Sequence, residues 1–151
     1  MVTRAESPIK SFSLITLGCK TNQYESQLLR EQLIEAGLIE SACMEDAELI
    51  IINSCAVTNR AEQKARNLFH RYKHANPKAK LAVIGCSAQN SPTMWQQLGA
   101  DIVLGVQDKF QLVKLICGKF PRTKTISFHK GHARAFVKVQ DGCNNFCSYC
   151  I

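Results

Sequence analysis

Alternation of short apolar runs with amphipathic stretches is the feature that most constrains the fold of residues 11–118. The runs SFSLITLG, AELIIIN, KLAVIG and DIVLG have the length and composition of buried strands, and a helix-like segment follows each of them. Strands that are apolar on both faces are typical of a parallel sheet that helices cover on both sides. The sequence therefore predicts an α/β fold.

The segments between these runs carry helix start and stop signals. NQYESQLLREQLIEAG is amphipathic and ends at Gly37, and TNRAEQKARNLFHRYKHANP begins at Thr58 and ends at Asn76-Pro77. SPTMWQQLG and QDKFQLVKLICG supply two further helices. Right-handed βαβ crossovers then give a flavodoxin-like or Rossmann-like parallel sheet with flanking helices.

Composition changes after residue 118, which divides the chain. We predict an α/β domain at 11–118, a basic linker at 119–132 and the start of a second domain at 133–151. Two strand-like runs, Thr123–Phe128 and Ala133–Gln140, lie in this part. About thirty residues are too few to bury a core of their own. We therefore expect the chain to be the front part of a longer protein.

Charge is distributed unevenly along the chain. Residues 1–57 carry 4 basic and 8 acidic side chains, whereas residues 58–151 carry 15 and 4. A basic half indicates either a solvated surface or a binding site for a polyanion. The chain has no run of about 18 apolar residues and no apolar core in its first residues, which predicts a cytoplasmic protein without a membrane segment.

Eight cysteines in a chain without a secretory signal favour metal binding or catalysis over disulfides. Cys19, Cys55 and Cys86 end the stretches LITLGC, LIIINSC and LAVIGC, each directly after a predicted strand. Loops after parallel strands emerge at one edge of the sheet, where such folds bind ligands. A shared metal ligand is predicted, and both zinc and an iron–sulfur cluster fit three thiolates.

The other isolated candidates are interpreted as incidental. Cys43 and Cys117 do not follow strands, so we read them as ordinary thiols. The four histidines accompany lysines and arginines and are read as parts of a basic surface: His70, His74, His129 and His132.

Cys143, Cys147 and Cys150 form the strongest motif, because spacings of three and two residues let one loop offer three thiolates to a cluster. Without a fourth cysteine nearby, one iron of a cubane stays open for a small molecule, which favours catalysis. Three rival classes remain: an iron–sulfur electron carrier, a zinc-stabilised nucleic-acid binding module and a thiol–disulfide enzyme.

CxxxCxxC with Tyr149 before its last cysteine resembles the signature of the radical S-adenosylmethionine enzymes. Together with LGCKTNQYES, NSCAVTNRAEQKAR, GCSAQ and VQDGCNNFCSYCI, the chain resembles the methylthiotransferases from about residue 11 onwards. The resemblance implies two 4Fe–4S clusters and S-adenosyl-L-methionine. It assigns the auxiliary cluster to Cys19, Cys55 and Cys86, and the radical-forming cluster to Cys143, Cys147 and Cys150. Tyr149 would lie near the adenine, and Ala133–Gln140 would be the first strand of a truncated partial (β/α) barrel.

The residues after Cys19 resemble the branch that acts on C2 of N6-threonylcarbamoyladenosine at position 37 of tRNA, although Thr21 and Ser87 depart from the usual pattern. The alternatives are the branches acting on isopentenyladenosine tRNA or on a ribosomal protein. The resemblance implies a monomer that binds tRNA and an electron-donor protein. Residues 1–151 alone are expected to be inactive.

Overall fold

A computed structural model describes residues 9–56, 58–128, 136–140 and 142–149. Its strands are β1 (Ser11–Thr16), β2 (Ile39–Glu40), β3 (Leu49–Ser54), β4 (Lys80–Gly85) and β5 (Ile102–Leu104). Its helices are α1 (Lys20–Glu35), α2 (Asn59–Ala75), α3 (Cys86–Asn90), α4 (Pro92–Leu98) and α5 (Gln111–Cys117), with a 3₁₀ turn at Met44–Asp46. None of the helices described is long and apolar enough to cross a membrane.

All five strands are parallel and lie in the order β2-β1-β3-β4-β5. This is the strand order of flavodoxin-like sheets, and it confirms the predicted α/β class. The order reverses between β1 and β3, because the chain leaves β1 toward one side of the sheet and leaves β3 toward the other. A crevice opens at such a point, at the carboxyl ends of the strands.

Strand β3 shows why helices cover both faces of the sheet. All six of its residues are buried, and successive side chains point to opposite faces. Ile50 and Ile52 pack with Phe69 of α2 and Trp95 of α4. Ile51 packs on the other face, with the apolar residues of α1 and α5. The two apolar clusters hold the central strands rigidly and so position the loops at their carboxyl ends.

The structure corrects the predicted elements near the sheet at two places. A fifth strand, β2, pairs with Ser11 and Phe12 at the start of β1. The sequence does not predict it, because two residues are too few to show an alternation of apolar and polar side chains. Helix α5 begins at Gln111 rather than near Gln107, since the preceding residues form a turn in which Lys109 N–H donates to the Gly105 carbonyl, 3.1 Å apart.

The prediction of a strand at Thr123–Phe128 is wrong. These residues are described, and none of them is in a strand. Their backbone is bound by α1 instead: Thr123 N–H donates to Glu35 Oε2 at 3.0 Å, and Ser127 N–H donates to Glu31 Oε2 at 2.9 Å. The Gln32 amide donates to the Thr123 carbonyl at 2.8 Å. Backbone groups that helix side chains satisfy do not need a neighbouring strand.

The predicted strand at Ala133–Gln140 lies partly outside the described residues. The described part, 136–140, is not in a strand. A strand forms only when a second strand supplies its hydrogen-bonding partners, and no strand beside 136–140 exists in the described structure.

Acid is expected to release the segment 121–128 from α1. Burial opposes ionisation of the Glu31 carboxyl, but hydrogen bonds from Gln27 and Ser127 outweigh it and hold its pKa below the usual 4.5. Hydrogen bonds from Thr123 likewise lower the pKa of Glu35. Because docking lowers the pKa of each carboxyl, the docked form is favoured at pH values above the usual pKa. Docking is lost as the pH falls through the lowered pKa. The amide resonances of Thr123 and Ser127 should therefore titrate with midpoints below 4.5.

The matched variant is Glu35→Gln. It should remove the acid step at Thr123 and leave the step at Ser127, because Ser127 is bound by Glu31. Midpoints at or above 4.5 for both amides would contradict the docking.

Candidate metal centre

Three cysteines lie together at the carboxyl edge of the sheet. Cys19 follows β1 and caps the start of α1, Cys55 follows β3, and Cys86 is the first residue of α3 directly after β4. Because β1, β3 and β4 are neighbours in the sheet, the three thiols occupy consecutive positions along its edge. Cys19 and Cys55 flank the point where the strand order reverses, which is the ligand-binding position in such sheets.

The loops after β1 and β3 are in direct contact. Gly18 has φ +132°, and a Cβ placed on it would lie 2.6 Å from Cys55 Cβ and 3.3 Å from Cys55 Sγ. Real Cβ atoms do not approach so closely, so only glycine allows the two loops to meet. The missing side chain at position 18 thus leaves room beside the Cys55 sulfur.

Asn22 ties these loops together and was not identified from the sequence. Its amide donates to the Leu17 carbonyl at 3.2 Å and to the Ser54 carbonyl at 3.4 Å. The Cys19 thiol donates to Asn22 Oδ1 at 3.7 Å. Asn22 is one of several polar residues on the buried face of α1, so the sequence does not single it out. Its role appears only when the strand ends are placed side by side.

Asn53 extends the same network into the core. It is buried at the end of β3, and its amide donates to the Asn22 carbonyl at 3.2 Å and to Ser26 Oγ at 2.9 Å. These bonds lower the cost of burying the Asn53 amide group in an apolar strand, while Asn53 Oδ1 is buried without a hydrogen-bond partner among the described residues. We infer that its role is to fix the start of α1, and with it Cys19, against β3.

The three thiols share one electrostatic environment. Cys55 is buried, Cys86 is half-buried and Cys19 is exposed. Burial raises the pKa of Cys86, the charge of Cys55 raises it further, Lys109 lowers it, and Cys19 and Glu25 raise it. Thiolate is the metal-binding form. The raised pKa favours the protonated thiol of Cys86, and thiol ligands generally release their protons when a metal binds.

The donor set fits an iron–sulfur cluster. Among the described residues, no three histidine, cysteine or carboxylate side chains converge on a single metal-ion position. A cubane cluster does not require such convergence, because each thiolate binds a different iron. Three soft thiolates at neighbouring strand ends, with a glycine keeping one sulfur clear, are compatible with three corners of a cluster.

The second cysteine set is only partly described. Cys143 and Cys147 are exposed, and Tyr149 is exposed as well, whereas Cys150 lies outside the described residues. Phe146 has φ +48°, in the left-handed region that turns the chain back between the two cysteines. Gln140, Gly142, Cys143 and Asn144 line an open cavity of about 490 Å³ together with Gln107 from the loop after β5. The start of the segment that carries the second cysteine set therefore lies against the α/β domain.

Cys43 and Cys117 lie away from this edge. Cys43 directly precedes the 3₁₀ turn that follows β2, and β2 pairs with the first residues of β1, at the amino edge of the sheet. Cys117 is the last residue of α5, and burial raises the pKa of its thiol. His70 and His74 are exposed on α2, while His129 and His132 lie outside the described residues. Cys43 is thus a natural control for the three edge cysteines.

The part of the chain that matches a known family includes the whole sheet. A family sequence model described as "Uncharacterized protein family UPF0004" matches residues 11–105, from the start of β1 to the residue after β5. This range contains Cys19, Cys55 and Cys86.

Several curated relatives are similar to most of the chain. Threonylcarbamoyladenosine tRNA methylthiotransferase MtaB of Chlamydia pneumoniae is 42% identical over 146 residues, which are 93% of this chain and 34% of the relative. MtaB of Thermotoga maritima is 35% identical over 157 residues, 94% of this chain and 36% of the relative. A tRNA-2-methylthio-N(6)-dimethylallyladenosine synthase of Desulfotalea psychrophila is 29% identical over 166 residues, 94% of this chain and 37% of the relative.

The chain spans about one third of the length of these relatives. The family match includes all five strands of the parallel sheet. The chain therefore belongs to the methylthiotransferase family, with residues 11–105 as its UPF0004 domain.

Proposed function

We propose that this chain provides the auxiliary-cluster domain of a radical S-adenosylmethionine tRNA methylthiotransferase, which adds a methylthio group to C2 of N6-threonylcarbamoyladenosine at position 37. The observation that carries the proposal is the row of Cys19, Cys55 and Cys86 along three adjacent strand ends. In this assignment residues 11–118 are the auxiliary domain, 119–132 a basic linker and 133–151 the start of the radical domain.

The two cysteine sets have separate roles in this proposal. Cys19, Cys55 and Cys86 would hold one 4Fe–4S cluster, and Cys143, Cys147 and Cys150 a second, with Tyr149 contacting S-adenosylmethionine. The bound groups would supply the sulfur atom and the radical chemistry, which suit the C2–H of adenine because that position has neither useful acidity nor a leaving group. The protein's own part is to hold the thiolates, to exclude water and to keep the two cysteine sets in a fixed relative position.

The residues at the sheet edge are suited to that part. Cys55 is 4% exposed, so bulk water has little access to its sulfur. Asn22 and Asn53 are also almost fully buried and hydrogen-bonded, so the loops that carry Cys19 and Cys55 are anchored to the core. Preorganisation of this kind keeps ligand geometry constant when a metal centre is assembled.

Transfer RNA is the proposed partner. Arg60, Lys64 and Arg71 recur along one face of α2 and are exposed, as is Lys78 just beyond the helix. Among the residues that the structure describes, none of these four pairs with a carboxylate. Cations that are not neutralised within the protein are available for phosphates. Helix α2 starts close to Cys55, so its basic face leads toward the proposed centre.

The threonylcarbamoyladenosine branch is favoured by the relatives. Five similar proteins that carry that name are 32–42% identical to this chain, against 29–32% for three dimethylallyladenosine synthases. An electron-donor protein and a monomeric state complete the proposal. Residues 1–151 alone should be inactive, because they span only about one third of the length of these relatives.

Mass spectrometry of tRNA nucleosides tests the proposed function. Cells that lack the gene to which this sequence belongs should accumulate unmodified N6-threonylcarbamoyladenosine, and reintroduction of the complete gene should restore its 2-methylthio form. Loss of the methylthio group from isopentenyladenosine instead would assign the other branch. Unchanged nucleosides in both cells would overturn the tRNA assignment, and a colourless purified protein with bound zinc would favour a zinc module.

A further inference from the structure

Helix α1 contains a carboxylate that the proposed function does not use. Glu25 lies between Asn22 and Ser26 and is 2% exposed. A buried charge is tolerated only when other charges or hydrogen bonds compensate it. The groups that compensate Glu25 come from two distant parts of the chain.

One of them is Lys109, from the turn that follows β5. Its side chain is 4% exposed, and its ammonium group pairs with Glu25 Oε2. The other is Lys138, whose Nζ lies 2.8 Å from Glu25 Oε1, with a side chain that is 17% exposed. A single carboxylate thus joins helix α1, the loop after β5 and the segment that leads to Cys143.

The pair formed by Glu25 and Lys109 lies beside the first cysteine set. Both side chains lie within electrostatic range of the Cys86 side chain, and their charges are opposite. Displacement of either partner would therefore change the field at this edge of the sheet.

The segment 136–140 is held at a second point near the first set. Lys20, directly after Cys19, places its ammonium group 5.3 Å from the centre of the Phe136 ring. Lys20, Thr21 and Tyr24 line an open cavity of about 240 Å³ with residues 136–138. Two contacts of different kinds, an ion pair and a cation–π contact, thus hold this segment along the first two turns of α1.

We propose that Glu25 is a positioning residue that sets the location of the second cysteine set relative to the first, through Lys109 and Lys138. The inference rests on the proposed function, since it assumes that both sets hold clusters. Its physical basis is that a buried carboxylate with two charged partners has one low-energy arrangement, whereas an exposed pair has many. Only four residues separate Lys138 from Cys143 in the sequence, which limits how far the second set moves.

The contact is tested on the 151-residue chain by trace labelling of lysines with acetic anhydride. Lys138 should be labelled about threefold to fivefold more slowly than exposed Lys124, and Glu25→Gln should remove that protection. Lys124→Gln is the matched charge control and should leave the labelling of Lys109 and Lys138 unchanged. Equal labelling of Lys138 and Lys124 in the wild-type chain would overturn the proposal.

The positioning role is tested on the same chain after anaerobic reconstitution with iron and sulfide. Magnetic dipolar coupling between two reduced clusters falls with the cube of their separation, so it reports their spacing without any activity. Lys138→Gln keeps the buried pair of Glu25 and Lys109, so the fold should survive, and it should weaken the coupling at unchanged iron content. Lys138→Arg should restore the coupling.

The outcomes separate this proposal from the proposed function. Two clusters whose coupling is the same in wild type, Lys138→Gln and Glu25→Gln would overturn the role of Glu25 and leave the function standing. A wild-type chain that binds no iron would contradict the cluster assignment, and the lysine labelling would then decide the contact alone.

Discussion

Substitution of Cys55 by serine is expected to halve the iron content of the reconstituted chain, from about eight to about four atoms, because each cysteine set would hold one 4Fe–4S cluster. Serine is nearly the same size, so the fold should be retained. Its hydroxyl is a harder ligand than thiolate and suits iron–sulfur clusters poorly. Cys55 is also buried beside Gly18, where water cannot readily take the place of the sulfur. Iron analysis and the visible absorption of the cluster measure the loss.

Cys43→Ser is the matched control for this change. Cys43 is exposed and lies near the amino edge of the sheet, so its replacement should leave iron content and spectrum unchanged. In cells, the gene carrying Cys55→Ser should fail to restore the methylthio nucleoside, whereas the gene carrying Cys43→Ser should restore it. Equal iron contents for the two variants would contradict the assignment of Cys55 as a ligand.

Alanine at Gly18 is expected to destabilise the fold by about 2–5 kcal/mol, because it combines a strained backbone with a steric overlap. Gly18 has φ +132°, and the new Cβ would lie 2.6 Å from Cys55 Cβ and 2.8 Å from Asn22 Nδ2. Relief of these contacts requires the loops after β1 and β3 to separate, which also moves the Cys55 thiol. Urea denaturation gives the change in the free energy of unfolding.

Gly37→Ala separates backbone strain from overlap. Gly37 has φ +98°, but nothing lies within 4 Å of a Cβ placed there. Its substitution should cost only about 1–2 kcal/mol, the usual penalty of a left-handed backbone. If the two alanine variants lose the same stability, the close approach of Gly18 to Cys55 is not a determinant of the fold.

The sheet was predictable because its strands are unusually apolar. The runs around Leu49–Ser54 and Lys80–Gly85 contain almost no polar residue that faces water, and only strands covered on both sides have that composition. The helix that begins at Thr58 was equally readable, and the Thr58 side chain accepts a hydrogen bond from Ala61 N–H at 3.1 Å, as its capping signal predicts.

Contacts between distant segments were not predictable in the same way. Residues 123–128 have strand-like composition, yet Glu31 and Glu35 of α1 bind their backbone. Nothing local distinguishes these two glutamates from ordinary solvent-facing ones. Likewise Lys109 belongs to the basic half of the chain, yet it is buried against Glu25.

The sequence by itself determined the parallel sheet and the position of one cysteine after each of three strands. The spacing of apolar residues and the place where an apolar run ends are local properties of the chain. Only the tertiary structure decided which strands are neighbours, and therefore that Cys19, Cys55 and Cys86 share one edge. It also decided the partners of Asn22, Glu25 and Lys109, because a buried polar residue is defined by groups that lie far from it in sequence and near it only after folding.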